Sequence, residues 1–195
     1  MLTLCIDTAY KYLTCALISD NKIISEISFE CFKKQSEELF VCLKKVFEQV
    51  NMNPKEIDSI CISEGPGSYT GTRIAMTLAK TMGEVLPCEV YTISTLRLYA
   101  SARSNTMVIM NARADRAYVG IYDKNEIIVD DYVSEIKNID IKNYNIIGDG
   151  SLVNRQDIYP NIPEAFLKTK DVWTRVDKIA FLTPKYLKES ESYLK

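Results

Sequence analysis

Three short apolar runs separated by polar turns open the chain: Leu2 to Asp7, Tyr12 to Ser19 and Lys22 to Phe29. They predict a meander of three strands, the last two joined by a tight Asp20-Asn21 turn. From Lys33 to Val50 the apolar spacing becomes helical. Leu39, Leu43, Val46 and Val50 form one stripe, Phe40 and Phe47 a second beside it, with Ser36 as the expected cap and Glu37 and Glu38 in the first turn. After the Asn53-Pro54 break, Ile57 to Ser63 predicts a buried strand. A glycine-rich turn follows, then a helix from Thr70 to Leu86, a strand over Glu89 to Thr92 and a helix from Ser94 to Arg103. The order over this half is βββαβαβα. Val172, Val176 and Ile179 predict a final helix over 171–182, closed by Pro184.

The pattern then repeats. Sliding the chain by 104 residues places Leu4-Cys-Ile-Asp7 on Val108-Ile-Met-Asn111 and Cys15-Ala-Leu17 on Val119-Gly-Ile121, with Asn21-Lys-Ile-Ile24 on Asn125-Glu-Ile-Ile128. Cys61-Ile-Ser-Glu64-Gly65 resembles Ile146-Ile-Gly-Asp149-Gly150 at an offset of 85, so the second copy lacks 19 residues, about the first helix. The expected division is 1–103 and 104–195.

Composition narrows the chemistry. The chain has 195 residues, 47% apolar and 26% charged, and a formal net charge of −2, so it is expected to fold as one or two domains without a broad basic field for nucleic acid. There is no histidine, which removes Ser/His/Asp and Cys/His nucleophile pairs and the HExxH zinc helix. The six cysteines include no CxxC spacing and read as buried thiols. No signal-peptide pattern or membrane-length apolar run is present, so a reduced cytoplasmic setting is expected.

Four groups of residues are candidates for function. The run Ser63-Glu64-Gly65-Pro66-Gly67-Ser68-Tyr69-Thr70-Gly71-Thr72-Arg73 stands between strand and helix, where a phosphate cradle would lie. It lacks the Walker lysine and the GxGxxG spacing, so a tight turn capped by Ser68 or Thr70 is the competing reading. The following helix carries Gly71, Ala75, Ala79 and Gly83 at strict four-residue spacing, flanked by Met76 and Met82. Such a ridge packs closely against a helix, either of the same chain or of another. Asp7 and Glu64 end strands that would be neighbours in a ribonuclease H-like sheet, where two carboxylates could hold magnesium; a cap in the Asp7-Thr8 turn is the alternative. Asn111-Ala-Arg113-Ala-Asp115-Arg116 predicts a charged hairpin, and Arg73, Arg113 and Arg116 could meet a carboxylate or phosphate.

Taken together, Ile6-Asp7-Thr8, Gly65-Pro-Gly-Ser-Tyr-Thr-Gly71-Thr-Arg73-Ile, Ser94-Thr-Leu96, Asn111-Ala-Arg113, Ala117-Tyr118, Gly148-Asp-Gly150 and Pro184-Lys-Tyr-Leu-Lys188 resemble the bacterial TsaB (YeaZ) family. The resemblance implies an α/β protein with the duplicated actin/Hsp70/sugar-kinase fold, a mixed five-stranded sheet in the first half and a shortened second copy. It also implies a non-catalytic scaffold for a TsaD-like catalytic subunit in threonylcarbamoyl transfer to the tRNA adenosine beside the anticodon. A TsaE-like ATPase and tRNA would then be met only through the assembled complex, and the chain alone would be a homodimer, with no metal or other cofactor and no membrane. The implied partner interface is Leu39, Phe40, Leu43, Val46, Phe47, Gly71, Arg73, Ala75, Met76, Ala79, Met82 and Gly83. Asp7, Thr8, Glu64, Ser68 and Arg113 are the expected cleft contacts. Gln35-Ser36-Glu37, Tyr69 and Ala75 depart from the usual His-Ser-Glu, Phe and Gly, and the chain is short for the family. The rival reading is an actin-like ATPase or metal-dependent nuclease using Asp7 and Glu64. Against the ATPase stands the turn Thr8-Ala9-Tyr10-Lys11, which has no glycine where a phosphate would approach the backbone.

Overall fold

A computed structural model describes residues 1–31 and 34–187 of the chain, which build two sheets around three apolar clusters. The opening meander forms as its alternation and turns dictate: β1 (Leu2–Asp7), β2 (Tyr12–Ser19) and β3 (Lys22–Glu30) pair antiparallel. Strand β4 (Ser59–Ser63) then lies parallel to β1, and β5 (Glu89–Ile93) parallel to β4. Parallel neighbours need crossovers. The connections carry α1 (Gln35–Glu48), before β4, and α2 (Tyr69–Val85), between β4 and β5. The second sheet repeats the scheme with β6 (Thr106–Asn111), β7 (Arg116–Asp123) and β8 (Glu126–Glu135) antiparallel and β9 (Asn145–Gly148) parallel to β6. This is the duplicated ribonuclease H-like arrangement of the actin/Hsp70/sugar-kinase fold, and its second copy has no α1.

Strands β6 and β7 begin and end 104 residues after β1 and β2, yet their pairing is displaced by one residue. Asp7 pairs with Thr14, whereas Tyr118, which is Thr14 displaced by 104, pairs with Met110. Met110, not Asn111, therefore holds the ladder place of Asp7. Likewise Asp149 follows Gly148, the partner of Ile109, as Ser63 follows Ile62, the partner of Ile6; the expected match of Asp149 to Glu64 is one residue off. Both strands are buried on both faces, so no alternation in the sequence marks their register.

The tail differs more. No helix spans 171–182: Thr174–Arg175 forms a strand, β10, antiparallel to β5, and gives the first sheet a sixth strand beyond the five expected. Val176 N donates to Val90 O at 2.8 Å and Ile179 packs beside Gly83, so residues expected in the second unit lie on the first. Apolar spacing of four and three residues serves a strap lying along a helix as well as it serves a helix. The helix expected over Ser94 to Arg103 is shorter: α3 (Thr95–Ala100) is capped by Ser94 and stops at Ser101, which is left-handed at φ 54°. A fourth helix, α4 (Ile162–Lys168), has Pro163 in its first turn and Asn161 accepting from Glu164 N at 2.9 Å. Ser36 does not cap α1. Lys34 stands at that N-cap without a side-chain bond, and the expected start at Lys33, like Lys188 of the last motif, lies outside the described residues.

The first sheet is covered on both faces. Leu4, Ile6, Ile60 and Ile62 pack under α1 and α2, while Cys5, Ala16, Ile18 and Cys61 meet α3, α4 and the Val108 and Met110 side of the second sheet. Each fully buried Leu or Ile contributes about 1.5–3 kcal/mol, so this shared layer joins the sheets firmly. All six cysteines are free and buried, and burial pushes their thiols up. No helix among the described residues is long and apolar enough to cross a membrane.

Candidate functional site

The glycine turn folds onto its own chain. Ser68 caps α2 by accepting from Gly71 N at 3.2 Å, while Ser68 N donates to Ala9 O at 2.7 Å and Thr8 Oγ1 donates to Gly71 O at 2.7 Å. A Cβ on Gly67 would stand 2.2 Å from Ala9 O, and one on Gly71 2.1 Å from Thr8 O. Close approach of the first hairpin is thus the reason for both glycines. A phosphate needs free N–H donors, and here Ser68 N and Gly71 N are engaged and carbonyl oxygens face the turn. Of the two readings of the motif, the geometry is that of the capped turn.

Asp7 is sealed in the same way. It is fully buried, accepting from Ala9 N at 3.0 Å, Ser63 Oγ at 2.5 Å and Tyr99 Oη at 3.1 Å. Burial pushes its carboxyl up, opposed by these three bonds. Glu64 lies elsewhere, lining a small polar hollow with Ser94, Arg97 and Lys185, while its backbone O accepts from Lys185 N at 2.8 Å. The structure does not gather the two carboxylates into one ligand set. Among the described residues, no group of three or more His, Cys, Asp or Glu has metal-binding geometry.

The second carboxylate that matters was not a predicted site residue. Asp149, 4% exposed, accepts from Tyr10 Oη, Tyr159 Oη and Asn111 N, the last at 2.7 Å, and pairs with Lys11 Nζ at 2.7 Å. Burial alone raises its pKa, but Lys11 and the hydrogen bonds outweigh that and hold it below the usual carboxylate range. Asn111 caps its own turn, accepting from Arg113 N at 2.7 Å as Asp7 does from Ala9 N. Arg113 and Asp115 sit exposed in that turn, whose residues 113–115 all have positive φ. Arg73 is on α2, its Nε donating to Tyr186 Oη at 2.8 Å and its guanidinium 4.2 Å from the Tyr69 ring centre. No contact joins Arg73 to Arg113 or Arg116 among the described residues.

The expected interface residues divide. Leu39, Val46, Phe47, Ala75, Met76 and Ala79 are at most 3% exposed and belong to the core beneath α1 and α2; Gly71 is buried too. The small-residue ridge therefore seats α2 on its own sheet: a Cβ on Gly83 would lie 2.7 Å from Val90 and 2.8 Å from Ile179. The outward row of α2 is the larger one beside it, Ile74, Leu78 and Met82, which a four-residue count from Ile74 could have found, and Val85 stands exposed near its end. Phe40, 66% exposed, faces out from α1. Between the helices runs an open groove of about 420 Å³ lined by Phe40, Leu43, Phe47, Met52, Pro54, Leu78 and Met82, with only Lys44 and Glu48 charged. Of the expected set, Phe40, Leu43, Phe47 and Met82 line it. Apolar surface gathered in this way is suited to another protein's apolar face.

Comparison with known proteins agrees with this geometry. Residues 28–181 match the family model described as TsaD, tRNA N6-adenosine threonylcarbamoyltransferase. The chain is 31% identical over 126 residues to the tRNA threonylcarbamoyladenosine biosynthesis protein TsaB of Bacillus subtilis, covering 63% of this chain and 55% of that protein. It is 27% identical over 132 residues to TsaB of Buchnera aphidicola, covering 65% of this chain and 62% of that one. The match thus spans less than two thirds of either curated relative. An uncharacterized protein of Mycoplasma genitalium is similar over nearly its whole length, 26% identical across 94% of this chain and 93% of its own. In fold, YeaZ from Pseudomonas aeruginosa superposes with a TM-score of 0.79 at 18% identity, covering 95% of this chain and 99% of that chain. Family model, relatives and fold agree, and the chain belongs to the TsaD family, in which its curated relatives are TsaB (YeaZ) proteins.

Proposed function

We propose that the chain is a non-catalytic docking subunit, required with a TsaD-like catalytic subunit for threonylcarbamoyl transfer to the tRNA adenosine beside the anticodon. The observation that carries this reading is a contrast: the open groove between α1 and α2 is apolar, while Asp7, the residue best placed for chemistry, is enclosed by three donors of its own chain. The names of the relatives place those proteins in the biosynthesis of the modified nucleoside. Partner helices would dock on Phe40, Leu43, Leu78 and Met82, carried by residues 1–103, and 104–195 would form a shortened second unit apart from the strap at 174–187. In the absence of the partner, two copies would cover the same groove about a two-fold axis. A TsaE-like ATPase and tRNA would engage only the assembled complex, in the cytoplasm.

The test is sedimentation of the purified chain with its TsaD-like partner. The wild-type chain should form a complex and Phe40→Asp should not, with both folding alike. A complex that tolerates Phe40→Asp and Leu78→Asp together would contradict the docking surface.

A further inference from the structure

In open α/β sheets the region beyond the carboxyl ends of the parallel strands is where ligands are usually held. Here that region is occupied by the turn Thr8-Ala9-Tyr10-Lys11, whose three polar side chains and the carbonyls of Ala9, Tyr10 and Lys11 are all tied to neighbouring elements. The ties lead in three directions. Toward α2, Ala9 O accepts from Ser68 N at 2.7 Å and Thr8 Oγ1 donates to Gly71 O at 2.7 Å. Toward α1, Lys11 O accepts from Cys31 N at 2.8 Å, and Gln35, the first residue of that helix, donates to Cys31 O at 2.6 Å and Tyr10 O at 3.4 Å. Toward the second sheet, Tyr10 Oη and Lys11 Nζ converge on Asp149, and the Lys11 ammonium also lies 4.7 Å from the Tyr159 ring centre.

We propose that this turn is a positioning hub for the amino-terminal ends of both groove helices, and that Asp149 holds the hub from the second sheet. The inference rests on the docking reading for its consequence, but the hub itself is a statement about the chain alone. Asp149 is a positioning residue: it lies away from the groove lining, yet it fixes Tyr10 and Lys11, whose carbonyls hold the entry to α1 and which continue directly from Thr8 and Ala9, the two residues that hold the start of α2. The second copy thereby contributes to partner affinity without touching the partner. A charge buried among three hydroxyl and amide donors and one ammonium allows few alternative arrangements, so the hub has one geometry.

Peptide-resolved hydrogen exchange on the purified full-length chain, together with partner affinity, tests this. In Asp149→Ala and Tyr10→Phe, exchange should quicken in segments 35–41 and 69–75 as well as 8–13, while 42–48 and 76–85 keep their protection. If the docking-competent fraction falls to about a tenth, apparent affinity falls about tenfold. Quickening confined to 8–13 and 145–159 in both variants overturns the hub. Should Asp149→Ala fail to fold, Tyr10→Phe, which removes one hydroxyl and keeps the ring against Tyr99, decides alone. Phe40→Asp separates the two readings: it should weaken the partner with no change in exchange at 35–41 or 69–75. If Phe40→Asp leaves affinity intact, the docking surface fails while the exchange data still judge the hub.

Discussion

The cleft between the sheets and the groove between α1 and α2 are opposites. In the cleft the polar groups are buried and partnered: Asp7 by a serine, a tyrosine and a backbone amide, Asp149 by Lys11, two tyrosines and a backbone amide. In the groove, Phe40, Leu78 and Met82 remain partly or largely open to water. Buried polar groups without partners cost about 1–3 kcal/mol each, so a satisfied cluster is a stable end state. Exposed apolar surface has the reverse tendency and is stabilised by being covered. The difference teaches that residue types associated with chemistry can be absorbed by architecture, and that the unused interaction capacity of this molecule lies in its apolar face.

The largest effect should come from Ala79→Arg. Ala79 is fully buried beneath α2, so the substitution inserts an unpaired charge into the core rather than into a partner contact, at a cost of about 3–5 kcal/mol. Denaturant unfolding of the isolated chain should show the loss; an unchanged midpoint would place the ridge on the outside after all. Next, Asp149→Asn should lower stability by about 2–3 kcal/mol at neutral pH, since one amide cannot replace a carboxylate for four donors. The native pKa of Asp149 lies below its usual value. Its contribution is therefore complete above about pH 3.9 and is lost as pH falls through the lowered native value. The gap between wild type and variant should be constant from about pH 6 to 8 and close under acid conditions.

Asp7 should respond with the opposite sign. Its native pKa is raised by burial, so its contribution is present below about pH 3.9 and is lost as pH rises through the raised value. Wild type should thus lose stability relative to Asp7→Asn as pH climbs out of the acid range. A parallel response of the two variants would show that the carboxylates do not differ in environment. In the groove, Phe40→Asp should weaken association by about 2 kcal/mol, roughly thirtyfold, with unfolding within about 0.5 kcal/mol of wild type. Smallest is Lys185→Met at about 1 kcal/mol: it removes the strap's 3.1 Å bond to buried Asp131, which keeps Ser94 and Tyr122 as partners. Thermal unfolding would detect it, and no change at all would show the strap to be held by its backbone bonds and packing rather than by this ion pair.

Much of this was legible in the sequence, for reasons that also explain the failures. The meander, the 104-residue repeat and a capped turn before α2, with Ser68 or Thr70 as its cap, follow from short sequence patterns, and the structure selects Ser68. The register of β6 does not follow from them, because Met107 and Val108 are equally apolar and either can face the inner layer. The ridge on α2 was visible, but whether it seats on the chain's own sheet or on a partner depends on contacts with Val90 and Ile179, far away in sequence. Asp149 appeared only as a counterpart of Glu64, since nothing local shows that Tyr10 and Lys11 arrive beside it. Leu78 and Met52 do not stand out in the sequence because a groove needs two elements, and neither residue's own helix or turn shows what lies across from it.

The central claim is that the chain contributes a surface and not a reactive group. The most direct measurement is the rate of threonylcarbamoyl transfer to tRNA in a reconstituted system as the concentration of Phe40→Asp is raised. A docking subunit with a weakened surface should restore the full wild-type rate once its concentration exceeds the weakened Kd, about thirtyfold above that of wild type. A rate that saturates well below wild type in an assembled complex would contradict the account, because the groove would then be acting in the chemical step.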